Sequence, residues 1–225
     1  MIGIIGAMDE EISYLLERME NIKETHVANC ELFQGELKGK DTVLMKSGIG
    51  KVNAAMATTI MMERFQPEII INTGSAGGFS EHLEVGDIVI SSEVVQHDVD
   101  ATAFNYEHGQ VPGMPTYYSA EKRLVRLTSH AVRSLDIDYE IGLIATGAVF
   151  MEDETKVKSV REKFPQMIAA EMEAGAIAQV CHQYGTPFVV IRALSDIAGK
   201  ESSVSFEEFL EVAAKHAAQL IIEVV

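Results

Sequence analysis

Four charged side chains in residues 169–199 lie beside apolar segments and carry the clearest chemical signal in the sequence. Glu171 and Glu173 follow a short apolar run. Arg192 and Asp196 lie at the end of a β-branched run. Such charges are costly beside buried strands unless a ligand or partner compensates them, and ligands of open α/β sheets bind where strands end. The cluster is therefore a candidate site, although an internal ion pair of Arg192 with one acid explains it equally well.

The segments that carry these charges have the pattern of a strand, a helix and a second strand. Residues 166–170 are a short apolar run, 175–182 have apolar residues at helical spacing, and 187–193 are β-branched and apolar up to Arg192. We expect one βαβ unit of a parallel sheet, with the charges at its ligand-binding edge.

The same reading predicts alternating strands and helices along the rest of the chain. Further strands are predicted at 1–5, 30–35, 42–46, 68–72, 85–95 and 140–146, and further helices at 9–19, 52–65, 119–134, 152–164 and 205–225. With 225 residues, 47% of them hydrophobic, the chain is long enough for one domain with a large core. We expect a single α/β domain over residues 1–225, with a mixed central β-sheet flanked by helices as an α/β/α sandwich.

Glu11 is a further candidate because it belongs to a run of three acids, residues 9–11, before an amphipathic helix. Carboxylates in a first helical turn gain about 0.3–1 kcal/mol each from the helix dipole. A structural reason for all three acids therefore competes with a chemical role for Glu11.

Glycine-rich segments of the sequence do not match phosphate-binding motifs. In residues 47–51 the Gly-Lys pair lacks P-loop spacing, because Met45 and Val52 occupy the positions that require glycine and a hydroxyl residue. Residues 3–6 lack the spacing of a dinucleotide fingerprint. The small residues 73–78 predict instead a loop whose amides turn toward a ligand at close range.

Composition excludes several classes of partner. The formal charge is −16, from 18 basic and 34 acidic residues, so neither nucleic acid nor an anionic membrane is expected to bind. The two cysteines lack the spacing of a disulfide framework or a zinc site. No apolar run reaches the ~20 residues of a membrane span, and the apolar start has no basic leader. We expect a cytoplasmic protein without a bound metal.

The segment 97–118 has no periodicity and is long for a connection in a compact chain. Loops of this length are usually lids, binding loops or interfaces. His97 and His108 within it are not spaced as metal ligands.

Six sequence blocks together resemble the 5′-methylthioadenosine/S-adenosylhomocysteine nucleosidases, within the wider purine nucleoside phosphorylase-like family. The blocks are GIIGAM at 3–8, SGIGKV at 47–52, NTGSAGG at 72–78, HDVDATAF at 97–104, AEMEA at 170–174 and RALSD at 192–196. The resemblance covers nearly the whole chain. It implies a nucleoside phosphorylase-like fold and a homodimer in which the long loop reaches the neighbouring site.

The resemblance implies hydrolysis of the N-glycosidic bond of 5′-methylthioadenosine and S-adenosylhomocysteine, and also of 5′-deoxyadenosine. The products are adenine and the 5-substituted ribose, in recycling of S-adenosylmethionine by-products and methionine salvage. Small adenine thionucleosides are thus the expected partners, with no cofactor and no metal.

By this resemblance Asp196 is the general acid that protonates adenine, Glu11 is the general base for water, and Glu173 binds the ribose above Met172. Carboxyl side chains suit these roles, because a desolvated carboxyl can carry a proton near neutrality and ribose hydroxyls donate hydrogen bonds to carboxylates. Glu171 is expected to be structural. The remaining polar positions that the resemblance places at the substrate are Ser75, Gly77, Arg192 and Ser195.

The resemblance also assigns apolar contacts. Adenine stacks on Phe150 and is read by the backbone of Met151. The 5′-thioether lies among Met8, Ile49 and Phe206, together with the neighbouring copy's Phe104 and Pro112.

One departure from the family pattern is Ala148, where an aspartate is usual. Two other functions compete with hydrolysis. A phosphorylase needs arginine to hold phosphate, yet Asn72 stands where arginine is common and Glu11 repels an anion. A non-catalytic sensor of adenine nucleosides has no need of both Glu11 and Asp196.

Overall fold

The chain forms one α/β domain in a computed structural model that describes residues 1–200 and 202–225. The strands are β1 Ile2–Gly6, β2 Met19–Val27, β3 Cys30–Leu37, β4 Lys40–Lys46, β5 Ile69–Gly78, β6 Ile88–Gln96, β7 Tyr117–Ser119, β8 Tyr139–Thr146, β9 Met167–Glu171 and β10 Phe188–Ile197. The helices are α1 Asp9–Leu16, α2 Lys51–Phe65, α3 Lys122–Val132, α4 Glu154–Lys163, α5 Ala174–Tyr184 and α6 Ser202–Val224, with a 3₁₀ turn at Thr102–Phe104.

The strands form one mixed sheet, part of which closes on itself. The order is β10-β6-β8-β9-β5-β1-β4-β3-β2, and β7 pairs with β6. Because β10 also pairs with β5, the strands β10, β6, β8, β9 and β5 complete a ring. From this ring β1, β4, β3 and β2 extend outward as an open sheet.

Strands β1, β5 and β10 lie side by side in parallel and are buried on both faces. In β5, Ile70 packs in one core cluster while Ile71 packs in the other. Val189 and Val190 of β10 divide in the same way. Successive side chains point to opposite faces of a sheet, so a strand between two helical layers needs a continuous apolar run. Helices α1, α3 and α6 pack together over one face, and α2 packs on α5 over the other. The predicted mixed, helix-flanked α/β fold is confirmed.

The prediction of a parallel βαβ unit at 166–193 was wrong. The strand, helix and strand all exist as β9, α5 and β10, but β9 and β10 lie on opposite sides of β5. Strand β5 pairs antiparallel with β9 and parallel with β10, so the two strands run in opposite directions. Helix α5 therefore connects two strands that are not neighbours, which local sequence pattern does not reveal.

Three further boundaries differ from the sequence reading. Strand β2 was not predicted, and Met19 begins it rather than ending α1, which stops at Leu16. The small residues 73–78 are the end of β5 rather than a loop. Strand β10 continues to Ile197, so Arg192 and Asp196 lie within it and not beyond its end.

No helix among the described residues combines the length and apolar character needed to cross a membrane.

Candidate active site

Arg192 is the fully buried centre of a cluster of three carboxylates. Its guanidinium donates a hydrogen bond to Glu171, and Nη2 lies 3.5 Å from Oε2 of Glu173. Nη1 lies 4.0 Å from Oε1 of Glu11. The internal ion pair that the sequence left open is thus present, and it joins acids from three separate elements. A buried guanidinium with several acceptors offsets part of the desolvation cost of each carboxylate.

The close approach of β5 to this cluster requires glycine at position 74. Gly74 has φ of 150°, and a Cβ on it would lie 2.0 Å from Nη1 of Arg192 and 2.5 Å from Oε1 of Glu11. The strand backbone itself contacts the guanidinium, since Nη1 donates to the Thr73 carbonyl at 3.0 Å. Asn72 Oδ1 accepts from Nη2 at 2.9 Å, so this side chain holds arginine.

Glu171 uses its carboxylate to hold structure, as the sequence predicted. Oε2 accepts hydrogen bonds from the backbone amides of Glu173, at 3.0 Å, and Ala174, at 2.8 Å. These are first amides of α5, and anions there are stabilised by the helix dipole. The other oxygen accepts from the Thr146 hydroxyl. Glu171 thus fixes the start of α5 and the position of Arg192.

Glu11 is buried, and four donors hold its carboxylate. Oε2 accepts from the backbone amides of Ala7, at 2.7 Å, and Met8, at 3.3 Å. Oε1 accepts from the backbone amide of Ser75 at 3.0 Å and from its hydroxyl at 3.3 Å. The bond to Met8 caps its own helix, so the structural explanation for Glu11 accounts for part of the arrangement. The bonds to Ser75 join it to β5 instead and face the cavity.

Asp196 is aimed by an irregularity in β10. Opposite β5, Leu194 pairs with Ala76 and Asp196 pairs with Gly77, so Ser195 is an extra residue that makes a bulge. Bulges re-aim side chains and recur beside functional sites. A Cβ on Gly77 would lie 3.0 Å from Oδ2 of Asp196, so glycine leaves the carboxyl its space.

The Asp196 carboxyl is set up to hold a proton. Burial raises its pKa above the ordinary aspartate value, and a hydrogen bond from the Ser195 hydroxyl, at 2.9 Å to Oδ1, opposes this rise. Only 2% of the residue is exposed. A carboxyl in such surroundings favours its neutral form more than a solvated one does.

The Glu11 and Asp196 carboxyl groups contact nearby residues of the same strand, β5. Glu11 is bonded to Ser75, and Asp196 abuts Gly77. Both carboxyl groups line the same cavity, so an acid and a base can act on one bound glycosidic bond.

Glu173 begins α5 and carries an unusual charge state. Burial, and then the neighbouring Glu171 carboxylate, raise its pKa to about 7, while Arg192 opposes the rise. Oε1 accepts a hydrogen bond from the Gly50 amide at 2.8 Å. Glu173 therefore changes charge near neutral pH.

One cavity brings most of the expected site residues together. Those that line it are Met8, Glu11, Ile49, Ser75, Gly77, Phe150, Met172, Glu173, Ser195, Asp196 and Phe206. None of the described lining residues is lysine, arginine or histidine. Phe150 and Phe206 meet edge to face, with ring centroids 5.7 Å apart, and form an apolar wall of the cavity.

Four expected residues lie outside this cavity. Arg192 is fully buried behind it. Met151 lines a small adjoining recess with Phe150 and Asp196. Phe104 is 76% exposed and Pro112 is also exposed, and neither reaches the cavity of its own chain.

Comparison with known proteins fits this arrangement of residues. The model of the phosphorylase superfamily matches residues 1–225. The 5′-methylthioadenosine/S-adenosylhomocysteine nucleosidase of Geobacillus sp. (strain WCH70) is 60% identical over 225 residues, which cover 100% of this chain and 97% of that protein. The chain belongs to this nucleosidase family.

Solved structures of the nucleosidase family superpose on nearly all of the chain. The Neisseria meningitidis nucleosidase, in complex with methylthio-immucillin-A, has a TM-score of 0.97 at 46% identity, covering 99% of this chain and 97% of that one. The nucleosidase of Colwellia psychrerythraea 34H, in complex with adenine, has a TM-score of 0.97 at 51% identity, covering 99% and 93%.

The turn at Ala148, where the family resemblance leads us to expect aspartate, is held through its backbone. The Ala148 amide donates to Oδ2 of Asp98 at 2.9 Å, and Oδ1 of Asp98 accepts from Lys51 Nζ at 2.6 Å. The sequence reading passed over both side chains, although each lies in a quoted block. In the sequence, the Gly-Lys pair is visible only as an incomplete phosphate motif, and Asp98 only as part of the block at 97–104.

Proposed function

We propose that the chain hydrolyses the N9–C1′ bond of 5′-methylthioadenosine and S-adenosylhomocysteine, giving adenine and a 5-thio-substituted ribose. One observation carries the proposal: Glu11 and Asp196 line one cavity, where Glu11 is bonded to Ser75 of β5 and Asp196 abuts Gly77 of the same strand. Hydrolysis of a glycosidic bond needs an acid on the leaving group and a base on the water. Membership of the nucleosidase family supports the same reaction.

Asp196 is the acid of the proposed mechanism. Adenine leaves poorly as an anion, so N7 must gain a proton as the bond to C1′ breaks. The raised pKa of Asp196 keeps a larger fraction of it protonated than an ordinary aspartate has at the same pH. Ser195 then donates to the carboxylate that remains after transfer.

Glu11 is the base, and Ser75 is the residue that makes way for water. The four donors on Glu11 match the roughly four lone-pair sites of a carboxylate. The Ser75 hydroxyl can rotate, unlike the three backbone amides, and its 3.3 Å contact is long. Its rotation frees one site on Oε1, which accepts the proton of the water that attacks C1′. The nearby Arg192 charge stabilises the ionised base.

The remaining cavity residues bind the parts of the nucleoside that do not react. Glu173 accepts hydrogen bonds from ribose hydroxyls, with Met172 against the sugar. Adenine stacks on Phe150, and Met151 backbone reads its edge. Met8, Ile49 and Phe206 contact the thioether. The smaller 5′-deoxyadenosine binds in the same place and makes fewer of these contacts.

Phosphorolysis is the alternative with the same leaving group, and the cavity disfavours it. A phosphate dianion needs cationic or amide donors, and none of the described lining residues is basic. The nearest guanidinium, on Arg192, is fully buried and already paired with three acids. Water is therefore the proposed nucleophile.

We also propose that a second copy of the chain completes each site. Phe104 is 76% exposed and Pro112 is exposed, and neither lines the cavity of its own chain. Exposed large apolar side chains on a long loop are typical of an interaction surface. In the proposed dimer, Phe104 and Pro112 of one copy contact the thioether bound in the site of the other copy. Both cysteines are buried and unpaired, which suits a cytoplasmic setting.

The test is to incubate the protein with 5′-methylthioadenosine, with and without phosphate, and to identify the products by chromatography. Adenine and free methylthioribose without phosphate are expected. A product formed only with phosphate, as the sugar 1-phosphate, would replace hydrolysis by phosphorolysis. If the protein binds 5′-methylthioadenosine without cleaving it, the remaining function is that of a non-catalytic sensor of adenine nucleosides.

A further inference from the structure

Two apolar walls of the cavity are joined by side chains that do not line it. The first wall ends at Ile49, directly before the segment Gly50–Lys51 that begins α2. The second wall is Phe150, in the turn that follows β8. Asp98 joins Lys51 of the first segment to the turn that carries Phe150, and neither Lys51 nor Asp98 lines the cavity.

Asp98 holds one segment with each carboxylate oxygen. Oδ1 accepts from Lys51 Nζ at 2.6 Å, and Oδ2 accepts from the Ala148 amide at 2.9 Å. Lys51 is 24% exposed and Asp98 is 26% exposed at the side chain, so the pair is sheltered from much of the solvent. Although burial alone raises the pKa of Asp98, the Lys51 and Ala148 bonds lower it overall, so the carboxylate is charged at neutral pH. Charge-assisted bonds of this kind are stronger than neutral ones.

The turn is fixed on both sides of Ala148. After Phe150, the Met151 carbonyl accepts a hydrogen bond from the Gly199 amide at 3.1 Å, and before Ala148 the turn is held at Gly147. The Gly147 amide donates to the Glu171 carbonyl at 3.0 Å, and a Cβ on Gly147 would lie 2.2 Å from Nε2 of His97. The turn is thus anchored at its first residue by β9 and packed against His97. Its next residue, two before Phe150, is held by Asp98 alone among the described hydrogen bonds.

At the Lys51 end, the Lys51–Asp98 pair is also connected to a carboxylate of the cavity, Glu173. The Gly50 amide, one residue before Lys51, donates to Oε1 of Glu173 at 2.8 Å. A shift of Lys51 therefore moves both the Ile49 wall and a hydrogen-bond partner of Glu173.

We propose that Lys51 and Asp98 are positioning residues that set the separation between the Ile49 and Phe150 walls, and thereby the affinity of the site for the purine. The inference rests on the proposed function, because it takes Phe150 to be the surface on which adenine stacks. The link acts through the Ala148 backbone, so it is independent of the side chain at that position. It contacts neither the reacting atoms nor the two catalytic carboxyls.

The experiment measures adenine affinity by calorimetry, and KM and kcat for 5′-methylthioadenosine, in Asp98→Ala. We expect adenine to bind about tenfold more weakly and KM to rise by a similar factor, with kcat within about twofold, because stacking is present in both ground and transition states. Lys51→Met and Asp98→Asn break only the ion pair and should each cause a smaller loss. Their double variant should be no worse than the poorer single, since both remove the same bond.

The control is an ion pair of matched exposure elsewhere. Lys46 and Glu31 form a contact at 19% and 30% side-chain exposure, away from the turn. Glu31→Gln should leave adenine affinity unchanged. If Asp98→Ala lowers only the melting temperature and binds adenine like the unaltered protein, the link is structural and the inference is overturned.

Failure of the proposed function gives a different pattern. If the unaltered protein binds adenine without cleaving the nucleoside, hydrolysis is wrong, and the adenine affinities of the variants still decide the link. If the unaltered protein cleaves the nucleoside but does not bind adenine measurably, hydrolysis stands, and an unchanged KM in Asp98→Ala would overturn the link. A fall in kcat with adenine affinity unchanged would also overturn the positioning role.

Discussion

At the carboxylate end of the cavity, Glu11 and Asp196 are each only 2% exposed and are bonded or packed against strand β5. At the apolar part of the cavity, which we call its apolar end, Phe150 is 39% exposed and Ile49 is 52% exposed, and both are carried by short segments between elements. The first end is fixed by strands that are buried on both faces. The second is fixed by a few hydrogen bonds and is open to solvent.

This difference matches two separate demands of the proposed reaction. Proton transfer depends on the position of each carboxyl, and misplacement lowers the rate. Binding of a purine and a thioether depends on apolar area, which tolerates movement and is completed when a lid or a partner closes. We therefore expect changes at the carboxylate end to reduce kcat and changes at the apolar end to raise KM.

The largest effects are expected from the two proposed catalytic carboxyls. Asp196→Asn and Glu11→Gln should each lower kcat by about 10²–10⁴-fold, the usual contribution of a positioned acid or base. Adenine affinity should change little, because asparagine at position 196 can still donate a hydrogen bond to N7 and Glu11 acts on the water rather than on the base. Steady-state release of adenine gives kcat, and calorimetry gives the affinity.

Glu10→Gln is the matched control for the base. Glu10 lies in the same first turn of α1 but is exposed, so it shares the helix dipole and not the cavity. Its substitution should leave kcat unchanged. In Glu11→Gln the side-chain NH2 group would face backbone N–H donors that the carboxylate now accepts from, which lowers stability. The melting temperature of Glu11→Gln must therefore be compared with that of the parent. Normal turnover in a folded Glu11→Gln would return Glu11 to a capping role.

The pH dependence of binding tests the middle of the cavity. Glu173 has a raised pKa of about 7, so its carboxylate is lost as pH falls through that value. Ribose hydroxyls then lose a charged acceptor, and KM should rise below pH 7 by up to about tenfold per unit. Measuring KM from pH 5 to 9 gives the curve. Glu173→Gln should show a high KM that no longer depends on pH, and an unchanged curve in this variant would exclude Glu173 as the titrating group.

Much of the carboxylate end could be predicted from the sequence, for a physical reason. Charges at Glu171 and Arg192 interrupt apolar runs, and such interruptions are costly in a core unless the charges meet one another or a ligand. Glu11 was visible only as one of three acids in a helical turn. The structure distinguishes it by burial, since Asp9 and Glu10 are exposed.

Other features leave little trace in local sequence. The bulge at Ser195 is a single extra residue, which changes no composition. The opposite directions of β9 and β10 depend on pairing with β5, far away in the chain. Strand β2 was missed because only Met19 of its nine residues is buried, so it lacks alternation. The role of Asp98 at the turn depends on a contact across 50 residues.

Phe104 tests whether the apolar end is completed by a second copy. Phe104→Ala should raise KM roughly five- to tenfold with little change in kcat, because an aromatic contact with the thioether is lost. The decisive form uses mixed dimers of one copy carrying Phe104→Ala and one carrying Asp196→Asn. One site of such a dimer has an intact Asp196 and the partner's intact Phe104, so KM should return to the parent value. A raised KM in mixed dimers, or an active monomer by sedimentation, would contradict a shared site.

The smallest effect, and the finest test of the carboxylate end, is a shift in the alkaline limb of the pH profile. The Ser195 hydroxyl donates to Oδ1 of Asp196 at 2.9 Å and stabilises the charged carboxylate, which opposes the rise in pKa caused by burial. In Ser195→Ala this opposition is lost, so the pKa of Asp196 rises further and the acid stays protonated to higher pH. The alkaline limb of kcat/KM should therefore move upward, by less than about one pH unit for a single hydrogen bond.

Ser203→Ala is the control for this shift, because the Ser203 hydroxyl donates to Glu152 outside the cavity. Its profile should match that of the parent. A downward shift in Ser195→Ala would mean that the limb belongs to another group. An alkaline limb that persists in Asp196→Asn would mean the same. If the limb moves upward in Ser195→Ala and disappears in Asp196→Asn, then its position depends on burial and on the Ser195 hydroxyl. The strand bulge that places both residues is then part of what makes Asp196 an acid.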